Sequence, residues 1–174
     1  RHCRFCNIGE GSPTPPDLAE PARIADTVRQ LGLTYAVITS VTRDDLPDGG
    51  AGHFAATIRA VRVIAPHTRI EILIPDFGGS DTSLRTVLEA GPDVVSNNLD
   101  TVERLYPAIK PECDYRRPLA LFAAARRMNP SIPLKSGLML GMGETADEVV
   151  ATFGDLLAAG CRTLTLGQYL SPSP

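Results

Sequence analysis

Tryptophan is absent from the sequence, and phenylalanine and tyrosine leave aromatics at 5% of 174 residues, so any core must be built from Val, Ile, Leu and Ala. No stretch approaches the roughly 18 consecutive apolar residues of a membrane span, and no basic-then-apolar leader opens the chain. A cytoplasmic protein with no membrane partner is the expectation. Positive charge is not in excess: 17 Lys and Arg against 20 Asp and Glu leave a net charge of -3, which gives no electrostatic reason to bind nucleic acid. Cysteine is scarce, and four in all do not suggest a disulfide scaffold at this size. Cys113 and Cys161 stand alone and are read as small buried or indifferent thiols, which leaves Cys3 and Cys6 as the pair close enough to share a task.

What is present is 43% hydrophobic, enough for one core, and a single domain over residues 1–174 is expected, with no linker, low-complexity tract or repeat. Short apolar runs alternate with amphipathic segments. Strands are predicted at Tyr35 to Thr39, Ile70 to Pro75, Asp93 to Asn97, Leu134 to Leu140 and Thr163 to Tyr169, with the near-continuous Val, Ile and Leu content of strands buried on both faces. Between them Ile24, Val28 and Leu31 share a helical face, as do Phe54, Ile58 and Val61, and again Val149, Phe153, Leu156 and Leu157. Asp100 with Glu103 and Thr145 with Glu148 have capping-box spacing and predict helix starts directly after strands. The expectation is an α/β fold, a partial (β/α) barrel of parallel strands with outer helices, whose ligands bind at the carboxyl ends of the strands. An open doubly wound sheet would leave the same pattern. Both ends are expected to be cut, since Arg1 stands beside a cysteine motif without an initiator Met and Pro174 closes a Ser-Pro-Ser-Pro run just after a strand.

The opening Arg1-His2-Cys3-Arg4-Phe5-Cys6-Asn7 carries a Cys-x-x-Cys pair. Two intervening residues let both thiolates face one metal or each other, so a zinc half-site, a redox centre, an iron-sulfur loop and no function at all stand level on local grounds. Zinc would need two further ligands at comparable spacing, and His53 and His67 lie far off. Thr39 and Ser40 fall at a strand's carboxyl end, where hydroxyls can hydrogen-bond a ligand's ammonium or carboxylate. Asp44 and Asp45 are read as solvated loop groups, with Arg43 pairing with either or contacting substrate. Leu134 to Thr145 reads L-K-S-G-L-M-L-G-M-G-E-T, in which Gly141, Gly143 and Ala146 satisfy the dinucleotide fingerprint G-x-G-x-x-G/A. The acidic residue that fingerprint expects roughly 20 positions later is missing, because no Asp or Glu follows Asp155. A tight turn alone would also account for the glycines.

Several segments together resemble the lipoyl synthases, a family within the radical S-adenosylmethionine superfamily. Cys3, Phe5 and Cys6 match the last two cysteines and the aromatic position of Cys-x-x-x-Cys-x-aromatic-Cys, whose first cysteine would fall two residues before Arg1. The stretch from Lys135 is similar to K-S-G-L-M-x-G-x-G-E-T, and Ile38 to Gly50, I-T-S-V-T-R-D-D-L-P-D-G-G, is similar to I-T-S-V-x-R-D-D-L-x-D-G-G. Pro75-Asp76-Phe77 and Leu164 to Leu170 also match. The sequence departs at Ser96-Asn97-Asn98-Leu99-Asp100, where the family usually shows Asn-His-Asn, an aliphatic residue, then Glu; only Asn98 keeps its match, and a titratable imidazole is lost.

The resemblance implies Cys3 and Cys6 as ligands of a [4Fe-4S] cluster whose open iron takes the amino and carboxylate groups of S-adenosylmethionine. It implies Phe5, Thr39, Ser40, Asn98, Lys135, Ser136, Gly137, Gly141, Gly143, Glu144 and Gln168 as cofactor-binding positions. The implied reaction is cleavage of S-adenosylmethionine to a 5'-deoxyadenosyl radical, followed by sulfur insertion at C6 and C8 of an octanoyl-lysine on a lipoyl carrier protein domain. The implied electron donor is a flavodoxin or ferredoxin. A second, auxiliary [4Fe-4S] cluster supplies sulfur in that family, its ligands lying outside this sequence, so the chain alone is expected to be inactive. Two other classes stand beside this one: an NAD-dependent oxidoreductase using the Gly141 to Ala146 turn, and a metal-free structural or interaction module. Arg116, Arg117, Arg126 and Arg127 are read as solvated helix charges, with a docking patch for an acidic carrier as the rival.

Overall fold

The computed structural model describes residues 1–8, 11 and 13–171, so the Ser-Pro-Ser-Pro end lies outside the described residues beyond Ser171. Helix α1 (Glu20–Gln30) carries Pro21 in its first turn, where a missing N–H costs nothing. There follow β1 (Tyr35–Thr39), α2 (Ala51–Ile64), β2 (Arg69–Leu73), α3 (Asp81–Glu89), β3 (Val94–Ser96), the short α4 (Tyr106–Ile109), α5 (Arg116–Met128), β4 (Leu134–Leu140), α6 (Ala146–Ala158) and β5 (Thr163–Gln168). The five strands pair in parallel in chain order, β1 to β5. Parallel neighbours require crossovers, and crossovers that always step the same way put every helix on one face of the sheet. The sheet therefore curls into a half-barrel with an outer helical layer.

The core lies between sheet and helices. Ile70 and Ile72 of β2, Val95 of β3, and Leu134 and Leu138 of β4 are buried in one cluster with Ile58, Val61, Val87, Leu121 and Phe122 from the helices. Period-two alternation is plain in β4, where Leu134, Ser136 and Leu138 are buried while Lys135, Gly137 and Met139 are partly open on the inner face. Helix α6 begins with the expected capping box: the Thr145 hydroxyl accepts from the Glu148 N–H at 3.3 Å, and the Glu148 carboxylate accepts from the Thr145 N–H at 2.8 Å.

Some expectations fail for identifiable reasons. The end strands β1 and β5 are not buried on both faces, since the crossover helices cover only the outer face; Tyr35, Val37 and Leu166 remain exposed. Leu31 is the cap residue beyond α1, and both it and Leu157 face solvent, leaving Val28 and Leu156 to carry their helices' packing. Asp100 caps no helix. Its backbone sits at φ 68°, its N–H donates to the Gly137 carbonyl at 2.9 Å, its carbonyl accepts from the Met139 N–H at 2.9 Å, and Val102 precedes the turn at Glu103–Leu105 instead. Among the described residues no helix is long and apolar enough to cross a membrane.

Candidate functional site

A cavity of about 220 Å³ opens at the carboxyl ends of β1, β2 and β3 and reaches the cysteine turn. It gathers Cys3, Thr39, Ser40 and Asn98 from the residues singled out in the sequence, and adds Asp76, Asp100, Lys110 and Cys113, which sequence reasoning passed over. The Thr39 hydroxyl donates to the Leu73 carbonyl at 3.0 Å and the Ser40 hydroxyl to the Val41 carbonyl at 2.9 Å, so their lone pairs remain as acceptors. A larger, more apolar cavity of about 450 Å³ shares Thr39 and Ser40 and lies against α1 and α2; it holds the His53–Glu20 pair at 2.7 Å but no thiol.

The cysteine turn is closed by the Cys6 N–H donating to the Cys3 carbonyl at 2.9 Å. Cys3 is half-buried and Cys6 exposed, with Phe5 half-buried between them. The turn docks on the loop after α4: the Arg4 N–H donates to the Ile109 carbonyl at 2.9 Å, and the His2 ring contacts the Glu112 carboxylate. The Arg1 guanidinium bridges Asp44, at 2.8 and 3.0 Å, and Asp76, at 2.6 Å. Cys3 and Cys113 line the same cavity. The influence of Cys113, with burial, holds the Cys3 thiol well above its ordinary value, whereas the influence of Cys3 and the cations of Lys110 and Arg1 pull Cys113 down. Among the described residues no three His, Cys, Asp or Glu side chains come together as a metal cage.

Lys110 closes the back of the cavity. Its ammonium, on a side chain 9% exposed, lies 2.8 Å from Asp100 and 5.0 Å from the Tyr106 ring centroid. Burial holds the Asp100 carboxyl above its ordinary value even beside this cation. The chain has only two lysines, Lys110 and Lys135, and both are ion-paired.

The remaining sequence-selected residues lie elsewhere. Lys135 projects onto the inner face of the half-barrel and binds both Glu71 oxygens at 2.9 and 3.0 Å; Glu71 also accepts from Tyr35 at 2.5 Å and Ser96 at 2.7 Å. Ser136 points the other way, fully buried, accepting from the Leu99 N–H at 3.3 Å. Gly137 is a contact point for the Asn98 amide: a Cβ there would stand 2.8 Å from the Asn98 Oδ1. Gly141 and Gly143, at φ 106° and 104°, form the turn after β4, and Gln168 ends β5 beside it. The Glu144 carboxylate folds back to accept from the Gly141 N–H at 2.5 Å and the Met142 N–H at 2.9 Å. These are the amides a nicotinamide dinucleotide's pyrophosphate would need, so the dinucleotide reading of this turn finds no support. Of the arginines on α5, Arg116 pairs with Glu103 and Arg117 lies 3.9 Å from Asp76. Arg43 pairs with Asp45, not with the cavity.

The Glu71 cluster gives a pH prediction. Burial pushes this carboxyl up, but the hydrogen bonds from Tyr35, Lys135 and Ser96 outweigh it and hold it below its ordinary value. A depressed folded-state pKa adds stability above the ordinary carboxylate range, and that stability is lost as pH falls through the folded-state value. Thermal unfolding followed from neutral to acid pH is expected to show a decline that Glu71→Gln flattens; equal slopes for the two proteins would exclude this role.

Comparison with known proteins follows from this geometry. The radical SAM superfamily model matches residues 1–156. A lipoyl synthase of Thiobacillus denitrificans is 55% identical over 174 residues, covering 99% of this chain and 56% of its own length. A lipoyl synthase of Caldicellulosiruptor bescii is 51% identical over 173 residues, covering 99% and 60% respectively. The chain thus spans somewhat more than half the length of these relatives. Among solved structures, methylornithine synthase (PylB) superposes with a TM-score of 0.74 at 13% identity, covering 97% of this chain and 49% of that one. HydG, a maturase of the [FeFe]-hydrogenase, superposes with a TM-score of 0.77 at 13% identity over 97% and 40%. At such identity these two structures establish the half-barrel fold alone.

Proposed function

The chain belongs to the radical SAM superfamily, and from that membership we propose that it is the catalytic core region of a lipoyl synthase, inserting sulfur into a protein-bound octanoyl group. The observation that carries the reading is about half identity to lipoyl synthases across 99% of the chain, with no region left unmatched. The superfamily's cofactors are a [4Fe-4S] cluster and S-adenosylmethionine. The residues fit them in kind: soft thiolates are the donors an iron-sulfur cluster takes, and two of them stand on one turn beside a polar cavity. The absent side chain of Gly137 lets the Asn98 amide sit against the strand, where a Cβ would displace it.

In this proposal Cys3 and Cys6 would hold the cluster, with Phe5 half-buried between them on the turn. Thr39 and Ser40 accept from the ammonium of S-adenosylmethionine, and the Asn98 amide donates to its carboxylate. The rim formed by Gly141, Gly143, Glu144 and Gln168 takes the adenosine end. Lys135, Ser136 and Gly137 support rather than touch: the first through Glu71, the second through the Leu99 N–H, the third by yielding space to Asn98. When bound, the cofactors supply one-electron cleavage and carbon-radical chemistry; the protein's part is to aim the reacting carbon and keep water out. The substrate is an octanoylated lipoyl carrier domain and the electron donor a flavodoxin or ferredoxin. An auxiliary [4Fe-4S] cluster, held by residues outside this stretch, would be the source of the sulfur. The location is cytoplasmic, with neither nucleic acid nor membrane as partner.

The test is anaerobic reconstitution of the full protein with iron and sulfide, followed by incubation with S-adenosylmethionine, a reductant and an octanoylated carrier domain. Mass spectrometry is expected to find lipoyl-lysine and 5'-deoxyadenosine. 5'-Deoxyadenosine without any lipoyl product would retain the superfamily chemistry and reject the substrate.

A further inference from the structure

One cation at the main cavity has no part in the proposed function. The Arg1 guanidinium lies between two carboxylates from different strand ends. Its Nε and Nη2 donate to Asp44, in the loop after β1, at 2.8 and 3.0 Å, and Nη2 also donates to Asp76, in the loop after β2, at 2.6 Å. The Arg1 and Asp76 side chains are 12% and 5% exposed, which makes theirs a desolvated contact and not a surface pair screened by salt. Asp76 is itself held in place. Its carboxylate accepts from the Gly78 N–H at 3.1 Å, and Phe77 beside it keeps a left-handed backbone, φ 48°, with its ring edge-on to Phe54 at 6.5 Å. A non-glycine residue stays in that region only where its surroundings over-determine it. Beyond Cys3, the Arg4 N–H donates to the Ile109 carbonyl at 2.9 Å. The turn is thus fastened on both sides of Cys3, which lines the same cavity as Arg1, Thr39 and Ser40.

We propose that Arg1 is a positioning residue for Cys3: its double pairing with Asp44 and Asp76 fastens the cysteine turn across the ends of β1 and β2, and so sets where Cys3 stands relative to Thr39 and Ser40. The residue type suits the task. A guanidinium carries its N–H donors in a rigid fork and can hold two carboxylates in fixed directions, whereas an ammonium is a point charge on a flexible stem. Partners that orient a metal ligand without touching the metal change affinity or activity by about 10- to 100-fold when they are removed. The fastening of the turn stands on the geometry alone, whereas its effect on the cofactors rests on the reading of Cys3 as a cluster ligand.

The experiment uses the full protein and two variants. Arg1→Met with Asp76→Asn removes both charges of the buried pair, so none is left stranded, and Asp44→Asn cuts only the exposed half of the contact. Hydrogen exchange of the apoprotein is read on a peptide spanning the cysteine turn, with a β2 peptide as the control. Exchange of the turn is expected to quicken about tenfold in the double variant, as the loss of a charge-assisted hydrogen bond allows, and by less in Asp44→Asn, while β2 keeps its protection. In the reconstituted protein, equilibrium dialysis is expected to show affinity for S-adenosylmethionine reduced by about tenfold in the double variant, with iron and sulfide content unchanged. A turn that exchanges no faster in either variant, β2 loosening in step with the turn in both, or a loosened turn with unaltered S-adenosylmethionine affinity each overturns the proposal. The reading of Cys3 is tested apart: Cys3→Ala retaining all its iron would reject Cys3 as a ligand while leaving the fastening of the turn intact.

Discussion

Replacing Cys3 and Cys6 together by alanine is expected to cost the reconstituted full protein about half of its iron and sulfide, leaving only what the auxiliary cluster holds, and to abolish all cleavage of S-adenosylmethionine. Iron-sulfur clusters are held by thiolates, and among the described residues no three His, Cys, Asp or Glu side chains are grouped to hold a metal in their place. Folding should survive the change. Cys6 is exposed and Cys3 half-buried on a turn outside the core, so thermal unfolding of the apoprotein is expected to move little. Iron and sulfide counts with a visible spectrum decide the matter, the melting curve serving as the control. A variant that keeps its full complement of iron would remove the cysteine turn from the site.

The second large effect is on stability. Lys110→Met is expected to destabilise the protein by about 3 kcal/mol at neutral pH, because removing one partner of a buried ion pair strands the other charge. The Lys110 and Asp100 side chains are only 9% and 17% exposed, and the Asp100 carboxyl is held above its ordinary value even with its partner present. Without the ammonium that carboxyl should rise further. A raised folded-state pKa favours the fold at low pH, below the unfolded value, and the advantage is lost as pH rises through the folded value. The Lys110→Met deficit is therefore expected to shrink on acidification, and Asp100→Asn added to it should recover most of the loss at neutral pH. Denaturant unfolding of the two single variants and the double variant at two pH values measures this directly. Additive losses in the double variant would show that the pair is not coupled.

Much of this architecture was readable in the sequence because the signals were local. The ends of β1 and β4 fall where the apolar runs begin and stop, and the Thr145–Glu148 box is a contact between residues three apart. The same spacing misled at Asp100. Its carboxylate is claimed by Lys110 ten residues on, and its backbone by a bridge to β4, neither visible from a capping rule. Burial failed at Val37 and Leu166, since composition reports that a strand is apolar but not whether a layer covers its second face. In the site, Cys3, Thr39, Ser40 and Asn98 converge as the strand-end argument requires. Cys113 reads as an indifferent thiol in the sequence because the residues around it in space are far off in the chain, and only the folded loop after α4 brings it to the cavity that Cys3 lines. A signal for Lys110 did exist: in a chain whose cations are almost all arginine, a lone lysine after an apolar segment marks a place where a compact charge is wanted.

That scarcity reaches beyond the fold. With Lys110 enclosed and Lys135 drawn into the half-barrel by Glu71, this stretch offers almost no free side-chain amine to the surrounding solution. Amine-directed cross-linkers should therefore tag a docked partner's lysines while leaving this surface silent, so mapping such a contact calls for carboxylate- or arginine-directed reagents.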